Sequence, residues 1–400
     1  MKYSTASKDY IKKRKRKAAN IRLLFRLFQI FPLKQKIVFT AFEGDGGYCC
    51  NPRYIAEELH RQGQGYEMVW LVNNLDKQMP AHIKKVKNTR LNRTYHLSTA
   101  RIWVDNSRKE LGTVKRKNQL YIQTWHAAIE FKPVGGFRGA LFPEIAEYVS
   151  RQDSNLIDYV TSNSKWCTDR YPTMLLYDGE IIKTGSPRCD VFHGEREATR
   201  YRIRERYSIA QEAKIVLFAP TFRGGSQSTD RSINPEATTL KLEELAGVLA
   251  RRFGGEWHVL LRLHPQLAAR MAGFPEYENT LSLHDVSQAD DMNELLAASD
   301  VLVTDYSSSA FDAMIMEIPV FLYVDDFKEY TVERGQLMWD LNALPFPYGK
   351  TNGELQEKII TFEQDRYQEA IRLFLQEHEV CEDGHASERV VEYIHQFINQ

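Results

Sequence analysis

Short runs of β-prone, apolar residues return along most of this chain, and each candidate polar cluster comes directly after one of them. Lys36 to Phe42, Tyr66 to Val72, His82 to Val86, Ile102 to Asp105, Gln119 to Gln123, Tyr159 to Ser162 and Ile181 to Thr184 read as strands, with helical stretches between them. Strands alternating with helices bury both faces of a parallel sheet and put ligand-binding loops at the carboxyl ends of the strands. The expected class is therefore α/β.

The sharpest such unit runs from Asp300 to Asp312. Val301 to Thr304 reads as a short buried strand, Tyr306-Ser307-Ser308-Ser309 as a tight turn, and Ala310 to Met316 as a helix that ends before Pro319. The first amides of a helix lack partners, and with serine hydroxyls they form a concave set of donors for a phosphate or pyrophosphate. A serine that caps an ordinary helix fits the spacing equally well. Three serines between Asp305 and Asp312 look like a site for a polar ligand, and context has to decide.

The chain has 400 residues, more than one hydrophobic core usually serves, so two domains are expected. The pattern restarts beyond the charged stretch Glu195 to Arg206. Lys214 to Ala219 leads into Pro220-Thr221-Phe222-Arg223, Trp257 to Leu263 into His264-Pro265, and Pro319 to Val324 supplies another strand. The expected division is 1–35 as a basic amphipathic segment, 36–194 as the first domain and 195–400 as the second. The last helix, Ala386 to Gln400, has the option of packing back on the first domain. In the first domain, Asn51 reads as a helix N-cap with Pro52 at the first helical position. The loop Glu43-Gly44-Asp45-Gly46-Gly47 is neither a dinucleotide fingerprint nor a P-loop. His126 stands at the carboxyl edge of a strand. A lone histidine is more often structural, yet an imidazole there can take a proton from a hydroxyl.

Lys plus Arg and Asp plus Glu both number 53, so no global field favours nucleic acid, and basic function is local. The local charge lies in Lys12 to Lys17, followed by Arg22 and Arg26 among Ile21, Leu23, Leu24, Phe25, Leu27, Phe28, Ile30 and Phe31. An element lying in an anionic membrane interface has this composition; so many bulky residues suit a nucleic-acid arm poorly, while docking of the apolar part on the protein body is also open. Cys49 and Cys50 are adjacent and the other cysteines isolated, which gives no disulfide framework and no zinc spacing. No apolar run is long enough to span a bilayer and no secretory signal is present, so the expected place is peripheral, on the cytoplasmic face of the membrane.

Taken in order, Asn51-Pro52-Arg53-Tyr54-Ile55, Thr124-Trp125-His126, Gly185-Ser186-Pro187-Arg188-Cys189-Asp190, Ala219-Pro220-Thr221-Phe222-Arg223, Arg262-Leu263-His264-Pro265, Thr304-Asp305-Tyr306-Ser307-Ser308, the pair Glu329-Tyr330 and Glu333-Arg334-Gly335, and Asp383-Gly384-His385-Ala386-Ser387-Glu388-Arg389 resemble the CDP-glycerol:poly(glycerophosphate) glycerophosphotransferases of teichoic-acid and capsule biosynthesis, with their ribitol-phosphate relatives. The resemblance covers most of the chain after the basic segment. It implies a GT-B-like fold, two Rossmann-type domains facing across a cleft, preceded here by the basic amphipathic N-terminal helix. It implies transfer of an alditol phosphate from CDP-glycerol or CDP-ribitol to a hydroxyl of a lipid-linked saccharide or polymer acceptor, with release of CMP.

The resemblance carries the catalytic pair onto His126 and His264. Donor contacts are expected from Arg188, Thr221, Arg223, Thr304, Asp305, Ser307, Ser308, Ser309, Asp312 and Arg389, with no cofactor and no metal. The sequence departs from the family pattern at Ala127-Ala128-Ile129, at Cys189 and at Leu344 to Tyr348, which bears on acceptor and alditol identity more than on the reaction. A GT-B glycosyltransferase using a sugar nucleotide, or a non-catalytic scaffold at the membrane, are the competing readings. The two histidines together with the serine turn favour the transferase of alditol phosphate.

Overall fold

The computed structural model describes residues 5–63, 65–221, 239–263 and 282–399. The chain divides into two compact units. The first comprises Met1–His126, Val134–Asp190 and Cys381–Gln400; the second comprises Ala127–Pro133 and Val191–Val380.

In the first unit, β1 (Lys34–Thr40), β2 (Glu67–Val72), β3 (Ile83–Lys87), β4 (Ala100–Asp105), β5 (Leu120–Gln123), β6 (Tyr159–Ser162) and β7 (Glu180–Lys183) form one sheet in the order β3-β2-β1-β4-β5-β6-β7. Every neighbouring pair is parallel. Helices cover both faces, which explains why β1 carries Ile37, Val38 and Phe39 consecutively, all fully buried. One face packs Ile37, Phe39, Trp70 and Val104 against Ile55 and Leu59 of the helix Cys50–Arg61 and against Val390, Val391 and Ile394 of the helix Ala386–Ile398. The other face packs Val38, Val69, Trp103 and Tyr121 against Ile21 and Phe25 of the N-terminal helix Thr5–Phe28.

The apolar residues of that N-terminal helix therefore divide between two environments. Ala18, Ile21 and Phe25 are buried, and Lys17 pairs with Glu110 at 2.6 Å, whereas Leu23 and Leu27, and Ile30 and Phe31 just after the helix, are exposed. Docking on the body and an exposed amphipathic face thus coexist on one element.

The second unit repeats the arrangement with β8 (Lys214–Ala219), β9 (Trp257–Leu261), β10 (Leu283–Asp285), β11 (Val301–Thr304), β12 (Val320–Tyr323) and β13 (Tyr348–Gly349), in the order β10-β9-β8-β11-β12-β13. These pairs are also parallel. Asp300 anchors the start of β11: it accepts the Ile215 N–H at 2.8 Å and pairs with Arg200 at 2.9 Å and Arg204 at 3.4 Å, both on the helix Arg196–Arg206. The strand β13 is only two residues long, too short for a sequence pattern to announce.

The units differ from the sequence division at 194/195 in three segments: 127–133 and 191–194 belong to the second unit, and the C-terminal segment takes its option of packing on the first. Residues after 380 return to the first sheet because polar groups fasten them there. Cys381 N–H donates to the Asn163 carbonyl at 2.7 Å, and the Glu382 carboxylate accepts Asn163 Nδ2 at 2.7 Å and the Ser186 N–H at 3.0 Å. Asp190 accepts the N–H groups of Ala386 at 3.0 Å and Ser387 at 2.8 Å, at the start of the last helix. Gly185, at φ +86, brings its Cα against the Cys381 carbonyl, where an added Cβ would stand 2.9 Å from that oxygen. Residues 127–133 belong to the second unit, where Phe131 packs on Phe311 at 4.8 Å and its carbonyl accepts the Met338 N–H at 2.8 Å.

Candidate active site

Both sheets reverse their winding once, between β1 and β4 in the first unit and between β8 and β11 in the second. Open α/β sheets bind ligands outside the carboxyl ends of the strands at such a switch point. Sequence-derived candidates stand at both.

In the first unit, Thr124-Trp125-His126 leaves the sheet directly after β5. The turn is tied down along its length. Thr124 N–H donates to the Asp105 carbonyl at 2.8 Å, and Trp125 N–H donates to Gln123 Oε1 at 2.9 Å. Asn51 Nδ2 donates to the Thr124 carbonyl at 3.2 Å and the Trp125 carbonyl at 3.0 Å, while Asn51 Oδ1 accepts the Arg188 N–H at 3.0 Å. Trp125 itself is held at φ 51, where a bulky residue is strained. His126 Nδ1 lies 2.8 Å from the Asn106 carbonyl, and the imidazole packs between Trp125, 4.3 Å away, and Phe42, 5.4 Å away, measured between ring centroids. A carbonyl only accepts, so Nδ1 carries the proton, and the neutral form of a ring held this way has its lone pair on Nε2. That is the tautomer a general base needs. The Arg108 guanidinium covers the Trp125 ring at 4.9 Å, and its burial lowers its pKa.

Asn51 corrects the sequence reading. The helix begins at Cys50 after Cys49 as N-cap, so Asn51 lies inside its first turn and does not cap it. Its fully committed side chain joins the turn after β5 to Arg188, partners 73 to 137 residues away.

In the second unit, Thr304 Oγ1 donates to the Ala219 carbonyl at 2.6 Å, and both carboxylate oxygens of Asp305 lie 3.0 Å from the Thr221 N–H. Asp305 also accepts the Tyr306 N–H at 2.6 Å. These residues lock the ends of β8 and β11 together. Tyr306 is fully buried, stacks on Tyr330 at 3.9 Å and donates its hydroxyl to Asp326 at 3.1 Å, so two of the sequence motifs meet in one aromatic contact.

The serine turn follows. Ser308, the residue before the helix Ser309–Met314, makes no side-chain cap bond; instead Ser307 Oγ accepts the Ser309 N–H at 3.3 Å and its hydroxyl lies 2.9 Å from Ser309 Oγ. Ser307 and Ser308 are half-exposed, whereas Ser309 and Asp312 are buried, with Asn293 Nδ2 3.5 Å from Asp312 Oδ2. At the carboxyl edge of β12 and β13, Phe327, Trp339, Asn342, Tyr348 and Lys350 line a cavity of about 450 Å³.

The structure places the remaining candidates as follows. Arg188 and Arg389 belong to the first unit, with His126. Arg389 Nη1 donates to the Thr184 carbonyl at 3.0 Å and the guanidinium also pairs with Asp383, so it fastens the C-terminal segment. His264 and Arg223 lie outside the described residues. Sequence reasoning missed Asn106, although a polar cluster, Asp105-Asn106-Ser107, directly after a strand was the signal used elsewhere.

Residues 23–396 match the family described as CDP-glycerol:poly(glycerophosphate) glycerophosphotransferase. Among curated proteins, the chain is 31% identical to the teichoic acid poly(glycerol phosphate) polymerase of Staphylococcus epidermidis over 91% of this chain and 51% of that protein. It is 28% identical to the protein of the same name from Bacillus spizizenii over 92% of this chain and 94% of that one. It is also 27% identical to a teichoic acid poly(ribitol-phosphate) polymerase of Bacillus spizizenii, over 92% of this chain and 58% of that protein. The chain thus spans about half the length of some of these relatives and nearly all of another. Among solved structures it is similar to the wall teichoic acid polymerase TagF, with a TM-score of 0.79 and 26% identity, covering 100% of this chain and 99% of that one. The two parallel sheets are accordingly of the GT-B-like kind, and the chain belongs to the CDP-glycerol:poly(glycerophosphate) glycerophosphotransferase family.

Proposed function

We propose that this chain transfers glycerol phosphate or ribitol phosphate from the CDP-alditol to a hydroxyl of a lipid-linked or polymeric teichoic-acid acceptor. The observation that carries the reading is the tautomer of His126, fixed by the Asn106 carbonyl at a switch point of a parallel sheet. His126 Nε2 takes the acceptor hydroxyl's proton as that oxygen attacks the β-phosphorus of the CDP-alditol. A new phosphorus–oxygen bond forms, the bond to the bridging oxygen breaks, and CMP leaves with the electron pair. His264 is assigned to hydrogen-bond the phosphate or protonate the leaving CMP.

Donor oxygens are assigned to Ser307, Ser308, Ser309 and Arg223, with Arg188 as a further cation. Thr221, Thr304, Asp305 and Asp312 act in this reading by shaping the turn, and Arg389 by holding the C-terminal segment. Solved TagF structures include one soaked with CDPG, which supports a CDP-linked donor. The deciding experiment is product analysis with CDP-glycerol, CDP-ribitol and UDP-sugars on a lipid-linked acceptor. Turnover with a UDP-sugar and with neither CDP-alditol would make the protein a glycosyltransferase.

We also propose peripheral attachment to the cytoplasmic membrane face through the N-terminal helix. Among the described residues no helix is long and apolar enough to cross a membrane. Exposed Leu23, Leu27, Ile30 and Phe31 continue a face that bears exposed Lys12, Lys13 and Arg16. Deleting the helix would also strip Ile21 and Phe25 from the core, so Leu23→Ser with Leu27→Ser and Ile30→Ser is the cleaner probe. The triple variant should leave vesicles containing anionic lipid that the native protein binds; equal binding by both would remove this assignment.

A further inference from the structure

One residue reaches His126 from two directions. Asn106, fully buried after β4, receives His126 Nδ1 on its backbone carbonyl at 2.8 Å and the Phe42 N–H on its side-chain Oδ1 at 2.7 Å. The Phe42 ring in turn packs on the imidazole at 5.4 Å. Phe42 and Glu43 sit at φ 49 and 57, a left-handed backbone that costs non-glycine residues roughly 1–3 kcal/mol each and persists only where neighbours hold it. Asn106 and Ser107 do the holding: Ser107 Oγ accepts the Glu43 N–H at 2.9 Å. Asn106 Nδ2 is buried with no hydrogen-bond partner among the described residues, a loss of about 1–3 kcal/mol that selection for stability alone would not favour.

We infer that Asn106 is the positioning residue of this site: its side chain fixes the ring's orientation through Phe42, while its backbone carbonyl, which any residue there supplies, holds Nδ1. The inference rests on His126 as the base and adds the residue that makes it one. Asn106 acts through His126 and is assigned no contact with substrate. The ionisable groups on the surrounding segments are Glu43 and Asp45 after β1, Asp105, Arg108 and Lys109 at the end of β4, Asp153 on the helix Glu144–Ser154, and Arg188.

The test is a cycle of Asn106→Ala, His126→Ala and the double variant, with turnover of CDP-glycerol on a lipid-linked acceptor as readout. Asn106→Ala should lower kcat about 10- to 100-fold while KM for CDP-glycerol stays within about twofold. In the His126→Ala background the same substitution should cause no further loss, since it acts through a side chain already removed. Asn106→Asp retains an acceptor for Phe42 but adds a negative charge, which raises the imidazole pKa and moves the acid limb of the kcat–pH profile to higher pH. Additive losses, or native turnover in Asn106→Ala while His126→Ala is inactive, would overturn this inference alone. An active His126→Ala would overturn the base assignment and this inference with it. Should circular dichroism show Asn106→Ala unfolded, Phe42→Leu, on an exposed loop, replaces it in the cycle with the same non-additivity expected.

Discussion

The turn after β5 and the turn after β11 both leave the carboxyl edge of a parallel sheet, the first one strand out from the switch point and the second at it, and they are built in opposite ways. The first holds a single imidazole, fixed by the Asn106 backbone carbonyl and the Phe42 ring and flanked by strained backbone at Phe42, Glu43 and Trp125. The second presents a row of small hydroxyls at the start of a short helix, braced by buried Asp305 and Tyr306. In the proposed reading one construction orients a proton acceptor, which needs a defined lone pair. The other, in the same reading, turns the half-exposed hydroxyls of Ser307 and Ser308 towards a diffuse anion, which needs no single direction. The first turn then supplies the proposed base and the second the proposed site for the donor's phosphates.

The largest expected effect tests that division directly. His126→Ala should cut turnover by on the order of 10²-fold or more, with CDP-alditol affinity nearly intact. Loss of donor binding in a folded variant would put the imidazole among the recognition groups and erase the contrast. His264→Ala should harm both turnover and donor binding.

From the other side, replacing Ser307 and Ser308 together with Ala should weaken CDP-glycerol binding measured by calorimetry. Each hydrogen bond to a charged group contributes roughly 1.5–3 kcal/mol, so the dissociation constant should rise at least about tenfold. An unchanged constant would reduce the serine turn to a helix start.

A smaller effect is expected from Asn51→Ala. It leaves the Arg188 N–H and the Thr124 and Trp125 carbonyls short of a partner, a destabilisation of about 1–3 kcal/mol readable by urea unfolding. Stability equal to the native protein's would mean that the turn after β5 is held without it.

The smallest effect concerns Asp153, which lies behind the loop after β4 and accepts the Lys109 N–H at 3.0 Å. Burial pushes its pKa up to about 7. The folded protein then keeps a proton that the unfolded chain releases near pH 4, so this group's contribution is present at low pH and is lost as pH rises towards 7. Asp153→Asn should therefore raise the melting temperature at pH 7 relative to pH 4 more than the native protein's own profile does. Parallel profiles would refute the assignment.

Strands were legible because both faces are buried, and a run such as Ile215 to Phe218 leaves few alternatives. The serine turn and His126 were legible because polar residues directly after such runs stand out. Asn51 was not, since a residue before proline at a helix start reads as a cap, while its real partners are remote in sequence and only folding brings them near. The partners of Arg389, the Thr184 carbonyl and Asp383, were likewise not legible, since only the return of the C-terminal segment to the first unit brings Thr184 near it.

The return of residues 381–400 to the first sheet has a consequence for how the molecule is made. The second unit is almost wholly continuous in sequence and can form as soon as it has left the ribosome. The first sheet, although its strands are synthesised earlier, lacks Val390, Val391 and Ile394 on one face until the second unit has been made. A nascent chain stalled within the second unit holds a first sheet with one face covered by the helix Cys50–Arg61 and not yet by the helix Ala386–Ile398.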